Sequence, residues 1–292
     1  MLNIQDVSYL MEEEQEAYQR FVEEVQKRDV PSRQYIGMRL SEMHGETLLA
    51  SKIGGVPFLE SLDDVPRDVK GNPMIMIAQI NMSELPEDQT LFPVNQGLLQ
   101  FWISTENNMY GLSLSQLNDN PNSRFVYIED TETPLSFDEI RGYMQSLSYD
   151  EFSVPVQGVF SVEYHLGEQM ITLHDYRGVE ILLKIWNEVN PDFYLENIYD
   201  DYDDLMEAVY QTFSGEHPIN QLGGYPTFIQ EDPRLVDEEL QVYEDLVLQI
   251  DSNRQGNAEI AWGDVGTANW FLKREDLRAM LFDDYLYNWD CS

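Results

Sequence analysis

The 292-residue chain carries 54 Asp and Glu against 17 Lys and Arg, a formal net charge of −37. Phosphate backbones and anionic lipid surfaces repel such a chain, which argues against nucleic-acid and membrane binding. Hydrophobic residues at 42% and aromatics at 12% suffice for a packed core, and no apolar run nears the roughly 18 residues that cross a bilayer. The N-terminal residues lack the basic and apolar regions of a secretory signal. The lone cysteine, Cys291, permits no intrachain disulfide, so a reducing, cytoplasmic setting is expected.

In chain order, Ser8 to Asp29 reads as an amphipathic helix, with Ser8 as its cap and Tyr18, Phe21, Val22 and Val25 on one stripe. Pro31 stops it, and Tyr35 to Leu40 reads as a short strand. Strand-like runs follow at Met74 to Ile80, Gly97 to Ile103 and Arg124 to Ile128. Ser136 and Glu139 form a capping-box pattern opening a helix to about Leu147. Phe152 to Tyr164 and Gln169 to Leu173 read as a hairpin hinged on Leu166-Gly167. Val179, Leu182, Leu183, Trp186 and Val189 recur at helical spacing, and a further helix is expected over Asp203 to Phe213. Strands are then expected at Tyr225 to Gln230, Asp245 to Ile250, Ala258 to Trp262 and Ala268 to Lys273. A short helix from about Arg274 and an extended piece, Tyr285 to Trp289, close the chain.

Part of this pattern occurs twice. Gly54-Gly55-Val56-Pro57 returns 169 residues later as Gly223-Gly224-Tyr225-Pro226, and the same offset carries Gly97 and Phe101-Trp102-Ile103 onto Gly266 and Trp270-Phe271-Leu272. Gln79-Ile80-Asn81 falls on Gln249-Ile250-Asp251 at 170. Strands in runs, without βα alternation, favour an α+β fold. The expected fold is therefore α+β, with duplicated, mostly antiparallel β units, flanking helices and a pseudo-twofold internal repeat. The expected organisation is an N-terminal helix (1–34) and a single duplicated domain (35–292). Within that domain repeat 1 spans about 51–105, an intervening segment 106–219, repeat 2 about 220–275, and a C-terminal helix and strand 276–292.

The blocks Ser51 to Pro57, Ile77 to Asn81, Gly97 to Trp102, Leu222 to Pro226, Leu248 to Asp251 and Trp262 to Gly266 together resemble the signature of the YwqG-like family, from about residue 40 to the end. The resemblance implies a duplicated α+β fold in a cytoplasmic bacterial protein and brings no established activity. An immunity or anti-toxin role is suggested by association alone. The N-terminal helix and the Asp200 to Asp204 run lie outside those blocks.

Residue chemistry gives no catalytic constellation. Cys291 has no basic neighbour to activate it, and no Gly-x-Ser-x-Gly, phosphate loop or dinucleotide fingerprint occurs. His44, His165, His174 and His217 show no ligand spacing, and the Asp200 to Asp204 run lacks the Gly and Glu of a calcium loop, so neither a metal nor a cofactor is expected. Gly54, Gly55, Pro57, Gly223, Gly224 and Pro226 read either as turns where the copies pack or as the rim of a cleft between them. In the second reading Gln79, Gln249, Asp251, Trp262 and Asp264 are its candidate lining. Between Ile185 and Asn253 stand 17 acidic residues and one basic residue, Arg234, a net of −16. That stretch is either a solvated face or a docking surface for a basic protein partner. A binding or interaction protein is the leading expectation, and an enzyme or small-molecule binder using the inter-repeat cleft is the alternative.

Overall fold

In the computed structural model, residues 2–114, 116–196, 204–214 and 219–292 are described. The elements run α1 (Glu12–Lys27), β1 (Ser32–Glu42), β2 (Lys52–Gly54), β3 (Ile75–Asn81), β4 (Leu98–Ile103), β5 (Ser123–Ile128), α2 (Phe137–Ser146), β6 (Val156–Gln157), β7 (Val159–Met170) and α3 (Tyr176–Val189). The chain continues with α4 (Asp204–Ser214), β8 (Gln221–Gly223), α5 (Pro233–Val236), β9 (Asp245–Asp251), β10 (Asn253–Gln255), β11 (Ala258–Ile260), β12 (Gly266–Leu272), α6 (Arg274–Ala279) and β13 (Tyr285–Cys291). The protein is α+β. Among the described residues no helix is long and apolar enough to cross a membrane.

Ten strands form one antiparallel sheet in the order β13-β12-β9-β8-β1-β7-β2-β3-β4-β5. Its middle is the long β1–β7 pair, in register from Ser32 opposite Met170 to Glu42 opposite Phe160. The sheet is curled, because its continuous apolar strands must bury both faces. Ile77, Leu99 and Phe101 from one end share a core with Leu248, Ile250 and Trp270 from the other, and the Phe101 and Trp270 rings lie 5.6 Å apart. The outer face at one end is covered by Val56, Leu59, Val65 and Ile140. At the other end Phe228, Leu240 and Tyr243 cover Leu246, Phe271 and Leu286.

Curling brings the two edge strands together. Phe125 of β5 meets Tyr285 of β13 edge-on at 4.9 Å, and the Ser123 and Tyr285 hydroxyls are 2.8 Å apart. The Tyr287 N–H donates to the Leu117 carbonyl, while the Tyr287 hydroxyl and the Trp289 indole N–H donate to the carbonyls of Tyr110 and Met109. Met109, Tyr110 and Leu117 thus cover an edge that would otherwise offer unpaired amides to a neighbour. A separate helical layer packs α1 on α3 and α4, with Phe21 against Trp186 and Phe213.

Several sequence expectations need correction. α1 begins at Glu12, not Ser8, because the Glu14 carboxylate accepts the Met11 N–H and supplies the cap. The hairpin expected at Leu166-Gly167 is one unbroken strand, β7. Gly167 sits beneath the Tyr35 ring, whose nearest atom would lie 2.3 Å from an added Cβ, and His165 covers Gly37 in the same way. These glycines make room for aromatic rings across the strand pair; they do not turn the chain. Tyr225 to Gln230 is not a strand, since Pro226 has no N–H to give and the Thr227 N–H goes to a side chain. Asp204 opens α4, whereas residues 200–203 and His217 lie outside the described residues.

A core shared by both ends of one sheet makes unfolding cooperative. Phe101→Ala is expected to lower stability by about 3–5 kcal/mol and to shift a single urea transition seen alike by fluorescence and circular dichroism. Two separated transitions would contradict the shared core.

Candidate functional site

The two glutamines proposed from the sequence are both fully buried, each in its own turn. Gln79 Oε1 accepts the Phe58 N–H at 2.9 Å, and its Nε2 donates to the Leu48 and Ala50 carbonyls. Gln249 Oε1 accepts the Thr227 N–H at 2.8 Å, and its Nε2 donates to the Ile219 carbonyl. Gln100 and Asn269 in turn donate to the carbonyls of Phe58 and Thr227. Ser51 Oγ accepts the Asn81 N–H and Asn220 Oδ1 that of Asp251. The glycines ahead of these loops hold positive φ, 74° and 81° at Gly54-Gly55 and 69° and 73° at Gly223-Gly224. Pro57 and Pro226 then end the ladder, and the side-chain amides satisfy the backbone groups left behind. These amides face the backbone of their own turns.

Beside the first turn lies a buried ion pair. Lys52 Nζ bonds Glu46 Oε1 at 3.1 Å and the Thr47 carbonyl at 2.7 Å, and Glu46 also accepts the Val56 N–H. Burial holds the Lys52 ammonium below its usual range. Beside the second turn the corresponding places hold neutral amides: Gln169 Oε1 accepts the Tyr225 N–H, and Gln221 Nε2 donates to the Tyr225 carbonyl.

Of the other three candidates, Trp262 is buried against Tyr110, Trp270 and Trp289, and Asp264 is exposed on the turn before β12. Asp251 does join something. It sits opposite Thr267 of β12, and Thr267 sits opposite Asp290 of β13, so two carboxylates flank one threonine on the same sheet face. Burial, with the Asp290 charge in addition, pushes the Asp251 carboxyl up to about 6. Burial raises Asp290 as well; its Oδ2 accepts the Gln230 N–H at 2.8 Å, while Oδ1 is buried without a hydrogen-bond partner among the described residues.

Asp290 lines a cleft of about 570 Å³. None of the five candidates lines this cleft. Its walls are the described residues of 109–118, the Gln230 to Leu240 segment and the end of β13. Glu231, Asp237, Glu239 and Asp290 face it, and among the described residues no Lys, Arg or His does. Leu114 and Val236 on its rim are 76% and 73% exposed, which gives the acidic cleft an apolar margin.

The upper wall is anchored by Arg234, the one basic residue of the acidic stretch. Its guanidinium is 0% exposed and lies between the Tyr176 and Phe271 rings, at 4.9 and 4.2 Å. It bonds both oxygens of Asp232, Asp175 Oδ2 and the Tyr243 carbonyl. Asp232 also accepts the Tyr176 N–H at the start of α3. The only positive charge in this stretch is thereby spent inside, and the exposed carboxylates Glu231, Asp237, Glu238 and Glu239 stand unopposed.

His174, one of the four histidines without ligand spacing, is half-buried beside Tyr210, and burial lowers its pKa to about 4, so the ring is neutral at physiological pH.

Two measurements test these assignments. Lys52→Met strands the Glu46 carboxylate and is expected to cost about 3–5 kcal/mol in urea unfolding. The double change Glu46→Gln with Lys52→Gln should recover most of that loss; a harmless single change would contradict a buried pair. Asp251 binds its proton more tightly folded than unfolded, so its contribution to stability is present at acid pH and lost as pH rises through about 6. Asp251→Asn should therefore stabilise by about 1–2 kcal/mol at neutral pH, discounted for partial solvation. The gain should vanish near pH 4; a gain independent of pH would refute the assignment.

Comparison with curated proteins returns no match. A family model described as "Domain of unknown function (DUF1963)" matches residues 51–291, a span that takes in both glycine turns, the Asp251–Thr267–Asp290 row and every wall of the cleft. The protein belongs to that family of domains of unknown function.

Proposed function

We propose that this protein is a binding protein whose acidic cleft receives a cationic, partly apolar segment of a protein partner. The observation that carries the reading is the lining itself: among the described residues, four carboxylates, no basic side chain and exposed Leu114 and Val236. Opposite charge steers such a partner and selects it, while the aliphatic rim supplies contact area. An immunity or anti-toxin role would be one instance of such masking. The resemblance to the YwqG-like family, with its bacterial and cytoplasmic setting, belongs to this same reading.

We also infer that the two ends of the sheet are copies of one unit related by a pseudo-twofold axis. Support comes from the hydrogen bonds of Gln79 and Gln249, Gln100 and Asn269, and Ser51 and Asn220, which recur at offsets of 169 to 170 residues. In this reading only the second copy carries the acidic Gln230 to Leu240 segment that forms one wall of the cleft.

The alternative, an enzyme or small-molecule binder, draws its support from Asp251 and Asp290. A carboxyl near 6 beside a second raised carboxyl is suited to proton transfer.

Calorimetry with a peptide of alternating Lys and Leu tests the binding reading, an alternating Glu–Leu peptide being the control. Only the basic peptide should bind. Its affinity should fall steeply from about 50 to about 300 mM salt, and fall again as pH drops through about 6 and Asp251, in the same row as the cleft-lining Asp290, gains its proton. Glu239→Gln with Asp290→Asn should weaken it about tenfold or more. Equal binding of both peptides, or indifference to salt, would end the proposal.

A further inference from the structure

A second cavity reverses the charge of the first. It has a volume of about 310 Å³ and lies between β1, the Gly223-Gly224 turn, the start of β9 and α6. Arg33, Arg274 and Arg278 line it against a single carboxylate, Asp245. In a chain with 17 basic residues to 54 acidic ones, three arginines on one small cavity call for a reason beyond solubility.

Their ion pairs do not use up the positive charge. Arg33 Nη1 meets Asp245 Oδ1 at 2.9 Å and the Glu244 carbonyl at 3.1 Å. Arg274 grips both oxygens of the same Asp245, and its Nη2 also reaches Glu244 at 3.3 Å. Arg278 is exposed and makes no ion pair among the described residues. Even with Glu244 counted, three guanidinium groups share two carboxylates. Behind them Arg177 stacks against the Tyr225 ring that Arg33 also covers, at 5.7 and 5.1 Å. Burial and the charge of Arg177 both work against the Arg33 cation. The cost of crowding cations in a partly desolvated place falls when an anion enters.

The cavity is shaped for a small guest. One wall is the bare Gly223-Gly224 backbone, where a side chain on Gly224 would collide with Gln169 and Tyr35. The opposite rim is held by Gln34, whose Oε1 accepts the Thr90 N–H and whose Nε2 donates to the Asp88 carbonyl. The volume lies at the lower end of small-ligand sites, and the guanidinium fork matches planar or tetrahedral oxyanions.

We propose that this cavity is a binding site for a compact oxyanion, the phosphate or carboxylate group of a small ligand, held by Arg274 and Arg278 with Arg33 at its base. The site is independent of the acidic cleft and of the function proposed for it, since the two share no lining residue.

Isothermal titration and thermal melting of the full chain test it, with inorganic phosphate and malonate as separate probes and chloride matching the ionic strength. Phosphate, malonate or both should bind saturably at one site and raise the melting temperature beyond the chloride control. Arg278→Gln leaves the core untouched and should weaken binding about tenfold, as should Arg274→Gln. Arg141→Gln, on α2, which contributes no wall of this cavity, should change nothing. The stronger probe tells a phosphate site from a carboxylate site. Stabilisation no greater than chloride gives, or undiminished affinity in Arg278→Gln, would overturn the proposal.

Discussion

The acidic cleft rests on one guanidinium. Arg234 is shut away from water, and a buried cation survives only if every side of it is answered. Two carboxylates, a carbonyl and two ring faces do so. In meeting that requirement the chain between Pro226 and Tyr243 is tied at once to α3, through Asp175 and Tyr176, and to β12, through Phe271. The segment that covers the outer sheet face thus takes one conformation, with its apolar side inward on Phe271 and Leu286 and its carboxylates outward. The charge asymmetry of the surface follows from where this single arginine goes.

The two ends of the sheet solve the same backbone problem with the same side chains and differ in what surrounds them. Both use a glutamine to satisfy the loop after a glycine pair and proline. Beside the first turn the pocket is filled by Lys52 and Glu46, beside the second by Gln221 and Gln169. An ion pair and a pair of amides meet the same hydrogen-bonding demand. The first turn is roofed by Val56, Leu59 and α2, the second by the clamped acidic segment. Architecture is held in common, and the surface laid over it is not.

Much of this was legible in the sequence because strands buried on both faces read as unbroken apolar runs. β3, β4, β9 and β12 were found within a residue or two for that reason. The stripe of Tyr18, Phe21, Val22 and Val25 marked the buried face of α1 for the equivalent reason in a helix. Gly167 misled, since a glycine beneath an aromatic ring and a glycine in a turn look alike in one dimension. Gln79 and Gln249 were expected to line a cleft, whereas their amides bond the backbone. The cleft was hidden because its walls come from the described residues of 109–118, 230–240 and 288–291, which only the curl of the sheet brings together. Asp290 was the available signal: a lone acid in an otherwise aromatic final strand, whose alternation places it on the same face as Asp251.

The central claim is that recognition is confined to the cleft built on the Arg234 clamp and does not spread over a diffusely acidic surface. A nitrogen-15 NMR titration of the full chain with a Lys- and Leu-bearing peptide bears on it most directly. The account predicts shifts confined to the described residues of 109–118, to Gln230 to Leu240 and to Asn288 to Cys291, with the Arg234 Nε–H protected from exchange throughout. Shifts scattered over the exposed carboxylates of α1 and α4 as strongly as over the cleft, or an Arg234 Nε–H exchanging as freely as that of Arg278, would contradict it.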